Sequence, residues 1–339
     1  LNVSNKTHKN LLNNLRDKRI FQYYKKFENI LSLNQDFIVG VSGGSDSLAL
    51  SFLSKVYSIK KSLNVYYFII DHRLRKNSSS EALLVKKLLK NHNIKSNILS
   101  WYGKKPKNNI QALARDKRYA LLIDQAKKLN IKTILTGHHI DDLYENFFIR
   151  ISRGSGLNGL VSFGEKTQRK KTNILRPLIN FQKKHLNYLT SKVFKFYIED
   201  PSNEDDKFKR VRIRKLIKNL QKEGLDKNKF LLTIKNLTDS NETIKFYIAK
   251  NLKNNSFIYR NQNKVILNQE FFNQSHEVTF RSLMEIIKFV GDKYYSVRGK
   301  KVDNIIDKLK VKANSSFKLT LGNCIIHKVN NTIIVVKEH

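Results

Sequence analysis

Cysteine is almost missing: Cys324 is the only one in 339 residues. One thiol closes no internal disulfide, builds no cysteine-rich zinc or iron–sulfur centre and supports no two-cysteine redox step. Three prolines and thirteen glycines are too few for a collagen-like or low-complexity chain. No apolar run approaches the roughly 18–20 residues that a helical membrane span needs, and the first thirty residues mix charge with apolar positions where a secretory core would be uniform. Acidic residues are scarce as well, 28 against 65 Lys plus Arg, for a net charge of +37. With 40% hydrophobic residues the chain has material for a sizeable core. It reads as a folded, soluble, cytoplasmic protein without a membrane partner.

The positive excess repels itself unless an anion compensates it, so a polyanionic partner is the leading reading. A genome that favours Lys, Asn and Ile codons, as the Asn-rich stretch from Asn251 to Lys264 hints, is the bland alternative. It raises Lys but does not explain the shortage of acids.

Apolar positions from 9 to 33 recur at helical spacing, from Leu12 through Phe27 to Leu31. Short β-rich runs then alternate with helical ones: strands at Phe37 to Val41, Val65 to Ile70, Ile94 to Trp101 and Thr133 to Leu135, with helices at Ser47 to Ile59, Ser80 to Asn91, Ile110 to Leu129 and Asp141 to Ile151. This alternation predicts an α/β fold, a parallel sheet with helices on both faces. Beyond about residue 220 it stops. Helices at Phe230 to Leu252, Thr279 to Val290 and Val302 to Leu309 precede short strands at Lys318 to Leu321, Ile325 to Lys328 and Thr332 to Val336. The expected division is an N-terminal helical extension (1–35), a nucleotide-binding domain (36–224) and a C-terminal region (225–339) that is helical and then a small β unit.

Two strings carry chemistry. The run Ser42-Gly43-Gly44-Ser45-Asp46-Ser47 lies between a strand and a helix start, where glycines allow a tight turn and amides plus serine hydroxyls can hold phosphate oxygens. Asp46 suits phosphate only with a divalent cation between them, which makes it a candidate Mg²⁺ ligand. A glycine turn with an ordinary helix cap is the plain alternative. The run is neither a Walker A loop nor a G-x-G-x-x-G fingerprint. The second string, Gly137-His138-His139-Ile140-Asp141-Asp142-Leu143-Tyr144-Glu145-Asn146, opens a helix whose spacing lets His138, Asp142 and Glu145 share a face. Three readings stand here: a metal site of the histidines and aspartates, plain capping and surface charge, or a site for ATP or a cationic substrate.

The first string resembles the SGG-x-DS loop of the ATP pyrophosphatase (PP-loop) superfamily, whose members split ATP to AMP and pyrophosphate while adenylating a substrate oxygen. Some members then deliver sulfur through their own cysteines. Cys324 lies far from the loop in a strand region, so an amine nucleophile is favoured here. Further strings narrow the resemblance to the tRNA(Ile)-lysidine synthase family: Asp71-His72-Arg73-Leu74-Arg75, Asn109 to Tyr119, Thr136 to Glu145 with Arg153 to Leu160, Arg176-Pro177-Leu178, and Glu199-Asp200-Pro201-Ser202-Asn203 through Arg210 and Arg214. They cover about residues 37 to 215. Leu143 and Asn146 stand where many members have Gln and Thr, and Val211 stands where many have Asn.

The resemblance implies a parallel-sheet catalytic domain and an ATP-dependent ligase. The implied reaction adenylates C2 of the wobble cytidine of tRNA(Ile) with a CAU anticodon, then lets free L-lysine displace AMP to give lysidine. By the same resemblance ATP would lie on Ser42, Gly43, Gly44, Ser45, Asp46 and Ser47 with Gly137 and His138. Asp46 would bind Mg²⁺, Arg115 would face the α-phosphate, Asp142 and Glu145 would recognise lysine, and Arg210 would touch tRNA or the activated cytidine. Lys207 to Lys222 and the C-terminal region would contact tRNA phosphates. Oligomeric state is left open, a homodimer being one option.

Overall fold

The computed structural model describes residues 11–75, 77–103, 110–169, 171–199, 206–259, 263–292, 297, 299–310 and 316–338. Residues 9, 10, 109, 200–205 and 260–262 of the stretches named above lie outside them. The chain divides into two compact units, Leu1–Asp226 and Lys227–His339.

In the first unit, helix α1 (Lys18–Ile30) is capped by Asp17, whose carboxylate accepts from the amides of Arg19 at 2.8 Å and Ile20 at 3.2 Å. There follow β1 (Phe37–Val41), α2 (Ser45–Lys61), β2 (Val65–Asp71), α3 (Ser78–Asn91), β3 (Ser96–Ser100), α4 (Ile110–Lys128), β4 (Thr133–Leu135) and α5 (Ile140–Ile151). The short α6 (Leu157–Leu160), hairpin β5 (Lys166–Arg169) and β6 (Thr172–Leu175), α7 (Lys183–Val193) and α8 (Lys209–Lys222) complete it. The six strands lie in the order β3-β2-β1-β4-β6-β5, all parallel except the edge strand β5.

Strand period two sorts the core into two faces. Phe37, Val39 and Val41 of β1 pack with Leu48, Phe52 and Val56 of α2, Tyr24 and Phe27 of α1, and Leu186 and Leu189 of α7. Ile38 points the other way, to Tyr119, Leu122, Ile123 and Ala126 of α4 with Phe68 and Ile134. β1 is flanked by β2, one crossover on, and by β4, which arrives from the other direction. In an open α/β sheet, ligands bind in the crevice beyond the strand ends at such a reversal. Both chemistry-bearing strings fall there, one leaving β1 and the other leaving β4.

The second unit holds α9 (Lys227–Asn255), β7 (Ser256–Tyr259), β8 (Lys264–Leu267), α10 (His276–Val290), α11 (Gly299–Lys310), β9 (Phe317–Leu321), β10 (Cys324–Val329) and β11 (Thr332–Lys337). Its sheet is antiparallel, in the order β7-β8-β11-β10-β9. Leu283, Ile286 and Ile287 of α10 and Val302 and Ile306 of α11 cover it, with Cys324 fully buried among them. The Cys324 thiol donates to Ile287 O at 3.3 Å. Two hairpin strands, β7 and β8, lie between the helices expected at Phe230 to Leu252 and Thr279 to Val290, where no strand was expected. β7 hides from pattern reading because Phe257, Ile258 and Tyr259 are all exposed, so no alternation marks it. Among the described residues no helix is long and apolar enough to cross a membrane.

Candidate active site at the carboxyl ends of β1 and β4

The loop after β1 is held by one serine. Ser47 Oγ accepts from the amides of Ser42 and Gly43, each at 3.1 Å, and donates to Gly44 O at 3.0 Å. Its hydroxyl therefore shapes the turn from within, and what it leaves for an anion is its backbone amide. Gly43 has φ +88, and a Cβ there would stand 2.6 Å from Val85 Cγ2, so only glycine fits. Gly44 caps α2 without a side-chain bond. The amides of Ser45, Asp46 and Ser47 thus open the helix with no intrahelical acceptor, the arrangement that receives phosphate. Thr190 Oγ1, fully buried on α7, donates to Ser45 O at 2.7 Å and fixes this helix end from below.

The turn after β4 meets the loop. A Cβ on Gly137 would lie 3.1 Å from the carbonyl carbon and oxygen of Asp46 and from the Ser47 nitrogen, all backbone atoms. Glycine lets the two turns touch. His139 caps α5, and its Nε2 lies 3.6 Å from Asp46 Oδ2 and 3.7 Å from Asp142 Oδ2. Burial opposes its protonation, but Asp142, Asp46 and Asp141 prevail and push its pKa up to about 9. The charged ring, an N–H on each nitrogen, then holds the three carboxylates together, with Nδ1 3.6 Å from Asp141 Oδ2. His138 behaves oppositely. Burial, with Arg115, Arg176 and Arg118 nearby, holds it well below its usual value and therefore neutral. Its Nδ1 is 2.9 Å from Thr136 Oγ1, and its ring meets Phe163 edge-on.

Asp46 is held ionised: burial opposes charge, but His139 and Lys183 outweigh it. Lys183 Nζ donates to both carboxylate oxygens, at 2.7 and 2.8 Å, and to Ser45 Oγ at 3.0 Å. Lys183 opens α7, over a hundred positions away in sequence, and no local signal marks it. Among the described residues no group of three or more His, Cys, Asp or Glu side chains could hold a metal ion. A lone carboxylate beside anion-binding amides still matches Mg²⁺, which takes one or two carboxylates and completes its shell with substrate phosphates and water.

On α5, burial opposes charge on Asp142, but His139, the His139 amide and Arg210 draw its pKa down. One of its oxygens accepts from His139 N at 3.0 Å, so part of the capping reading is realised. Glu145 is buried, and burial raises its pKa despite Arg214. Arg214 Nε donates to Glu145 Oε1, while Oε2 is buried with no hydrogen-bond partner among the described residues. Arg210 and Arg214, one turn apart on α8, thus face Asp142 and Glu145, nearly one turn apart on α5. Arg214 makes the direct ion pair with Glu145. Leu143 and Val211 are buried core residues, and Asn146 Oδ1 accepts from Arg150 Nε at 3.4 Å. Arg115 lies over Phe163, its Cζ 5.2 Å from the ring centroid, and Arg176 lies 4.5 Å from the same centroid. The result is a crevice with acidic groups and arginines close together, beside a helix start able to take phosphate.

Residues 14–221 match the family model of the PP-loop domain. The U34-tRNA thiolase NcsA from Methanococcus maripaludis shares this fold, with a TM-score of 0.57 and 17% identity over 66% of this chain and 80% of that one. Fold and loop together define a PP-loop ATP-binding enzyme. Three curated proteins called tRNA(Ile)-lysidine synthase match most of the chain. That of Orientia tsutsugamushi is 34% identical over 90% of this chain and 70% of its own length. Those of Rickettsia felis and Wolbachia pipientis are 32% and 30% identical over 93% and 92% of this chain, each covered to 74% of its own length. The chain belongs to the tRNA(Ile)-lysidine synthase family.

Proposed function

We propose that the protein ligates free L-lysine to C2 of the wobble cytidine, position 34, of tRNA(Ile) with a CAU anticodon, using ATP. The cytidine O2 attacks the α-phosphorus and pyrophosphate leaves; the neutral lysine ε-amine then attacks C2, gives up one proton and expels AMP, which carries O2 away. The observation that carries this reading is the contact of the two turns, with Gly137 packed on the backbone of Asp46 and Ser47 and His139 3.6 Å from Asp46. A phosphate site and an acidic site then serve one reaction centre.

In this reading the amides of Ser45, Asp46 and Ser47 hold the polyphosphate, with Ser42, Gly43 and Gly44 shaping the loop. Asp46 would hold Mg²⁺, which supplies neutralising charge to the phosphates. Lys183, released from Asp46, follows the phosphates. Arg115 meets charge developing at the α-phosphate, and neutral His138 lines the nucleotide side. Asp142 and Glu145 receive the lysine ammonium, and Glu145 Oε2, with no hydrogen-bond partner among the described residues, is an acceptor for it. Glu145, with its raised pKa, is also suited to take a proton from the amine. Arg210 stays with the cytidine or tRNA, and the second unit is the C-terminal tRNA-binding region. The test separates the half-reactions: Asp46→Ala abolishes tRNA-dependent pyrophosphate release, whereas Glu145→Ala impairs lysine use more than adenylation. Equal loss at both steps contradicts the separate roles.

A further inference from the structure

A cavity of about 430 Å³ opens at the carboxyl ends of β2 and β3. None of the loop and acidic-turn residues above line it. Its floor is fixed by Asp71, which accepts from Ser79 Oγ at 2.7 Å and from Arg73 N at 2.9 Å, holding Arg73 at φ +51. Trp101 N donates to Asp71 O at 2.9 Å and so ties the segment after β3 to the end of β2.

The walls are aromatic and basic. Arg73 Cζ stands 4.8 Å from the Tyr102 ring centroid, and Tyr102 is 79% exposed. Lys117 Nζ lies 5.9 Å from the Trp101 ring. Arg75 borders the cavity, bridged to Glu81 at 2.9 Å. His72 Nδ1 is buried with no hydrogen-bond partner among the described residues. Burial and Arg118 push its imidazole down to about 4, so it offers neutral hydrogen-bonding groups. Arg118 is also within electrostatic reach of Asp142 and Arg210, so the cavity and the reaction crevice share a neighbour.

Flat aromatic faces, guanidinium groups and a neutral imidazole recognise a nucleobase and its phosphate. The nucleotide triphosphate has its place at the start of α2. β3 lies two strands from β1, roughly 10 Å at the usual strand spacing. Such a distance is covered by a few nucleotides of one strand. An outer wall as exposed as Tyr102 suits a chain that continues past it better than an enclosed small molecule.

We propose that the Trp101–Tyr102 cavity receives an unpaired nucleotide of the RNA substrate, near in sequence to the one that reacts, with its base on the aromatic pair and its phosphate on Arg73 and Arg75. The inference rests on the function proposed above. Trp101 is the only tryptophan of the chain, so its emission reports on this cavity alone. The anticodon stem–loop of tRNA(Ile) should quench that emission saturably, and ATP with Mg²⁺ should leave it unchanged. Tyr102→Ala, at an exposed position, should weaken stem–loop binding by roughly 5- to 150-fold, the usual worth of a stacked base. Tyr102→Phe should restore it, with ATP affinity constant throughout. Quenching by ATP alone, loss of ATP affinity in Tyr102→Ala, or stem–loop affinity within twofold of wild type in that variant overturns the proposal. Filter retention of the stem–loop separates the two levels: retention without quenching defeats this inference alone, and no retention by the folded wild type defeats the proposed function with it.

Discussion

Gly137→Ala is the sharpest probe of the contact between the two turns. The added Cβ would sit 3.1 Å from three backbone atoms of Asp46 and Ser47, where ordinary contact begins near 3.4 Å. No flexible side chain can yield, so backbone must move by about 0.3 Å or the strain remains; overpacking of this kind costs ~1–3 kcal/mol. The helix end is braced by Thr190 from below and by Ser47 within the loop, so the displacement falls on the amides meant for phosphate. ATP affinity should drop about tenfold, equivalent to ~1.4 kcal/mol, and urea unfolding should show a loss of comparable size. Gly156→Ala is the control, since φ is −68 there and nothing lies within 4 Å. If Gly137→Ala matches wild type in both ATP titration and unfolding, the turns do not press together and the shared reaction centre fails.

Glu145→Gln should raise the KM for lysine, because it removes the carboxylate charge that would receive the ammonium. The sign with pH follows from burial raising the Glu145 pKa above its usual 4.5. Its contribution is fully present below 4.5 and is lost as pH rises through the folded value. Wild type should therefore lose stability relative to Glu145→Gln between pH 4 and pH 8 in urea titrations, and a reversed difference refutes the assignment. Lys183→Met should weaken ATP binding about tenfold, as one charge-assisted contact is worth ~1.5–3 kcal/mol, with lysine KM little changed; unaltered ATP affinity would leave Lys183 as a structural partner of Asp46 only.

The alternation of strands and helices made the parallel sheet readable, and the glycine pair after Val41 and the acids after Gly137 marked the two turns. Period-based reading stopped at elements without a period. Lys166–Arg169 is a polar edge strand, and Ser256–Tyr259 exposes three apolar side chains in a row. Lys183 and Arg214 were invisible as site residues for another reason: their roles depend on where α7 and α8 dock, which local pattern does not encode. Ser47 shows the reverse case. A hydroxyl in the expected place faces inward, because the amides of Ser42 and Gly43 need an acceptor once the turn closes.

The central claim is that one crevice adenylates a cytidine and then delivers lysine to it. Folded protein incubated with ATP, Mg²⁺, labelled lysine and tRNA(Ile) bearing CAU should place label in the RNA, one lysine per tRNA, only when ATP is present. Absence of label while a known lysidine synthase labels the same RNA, or label that appears without ATP, would contradict it.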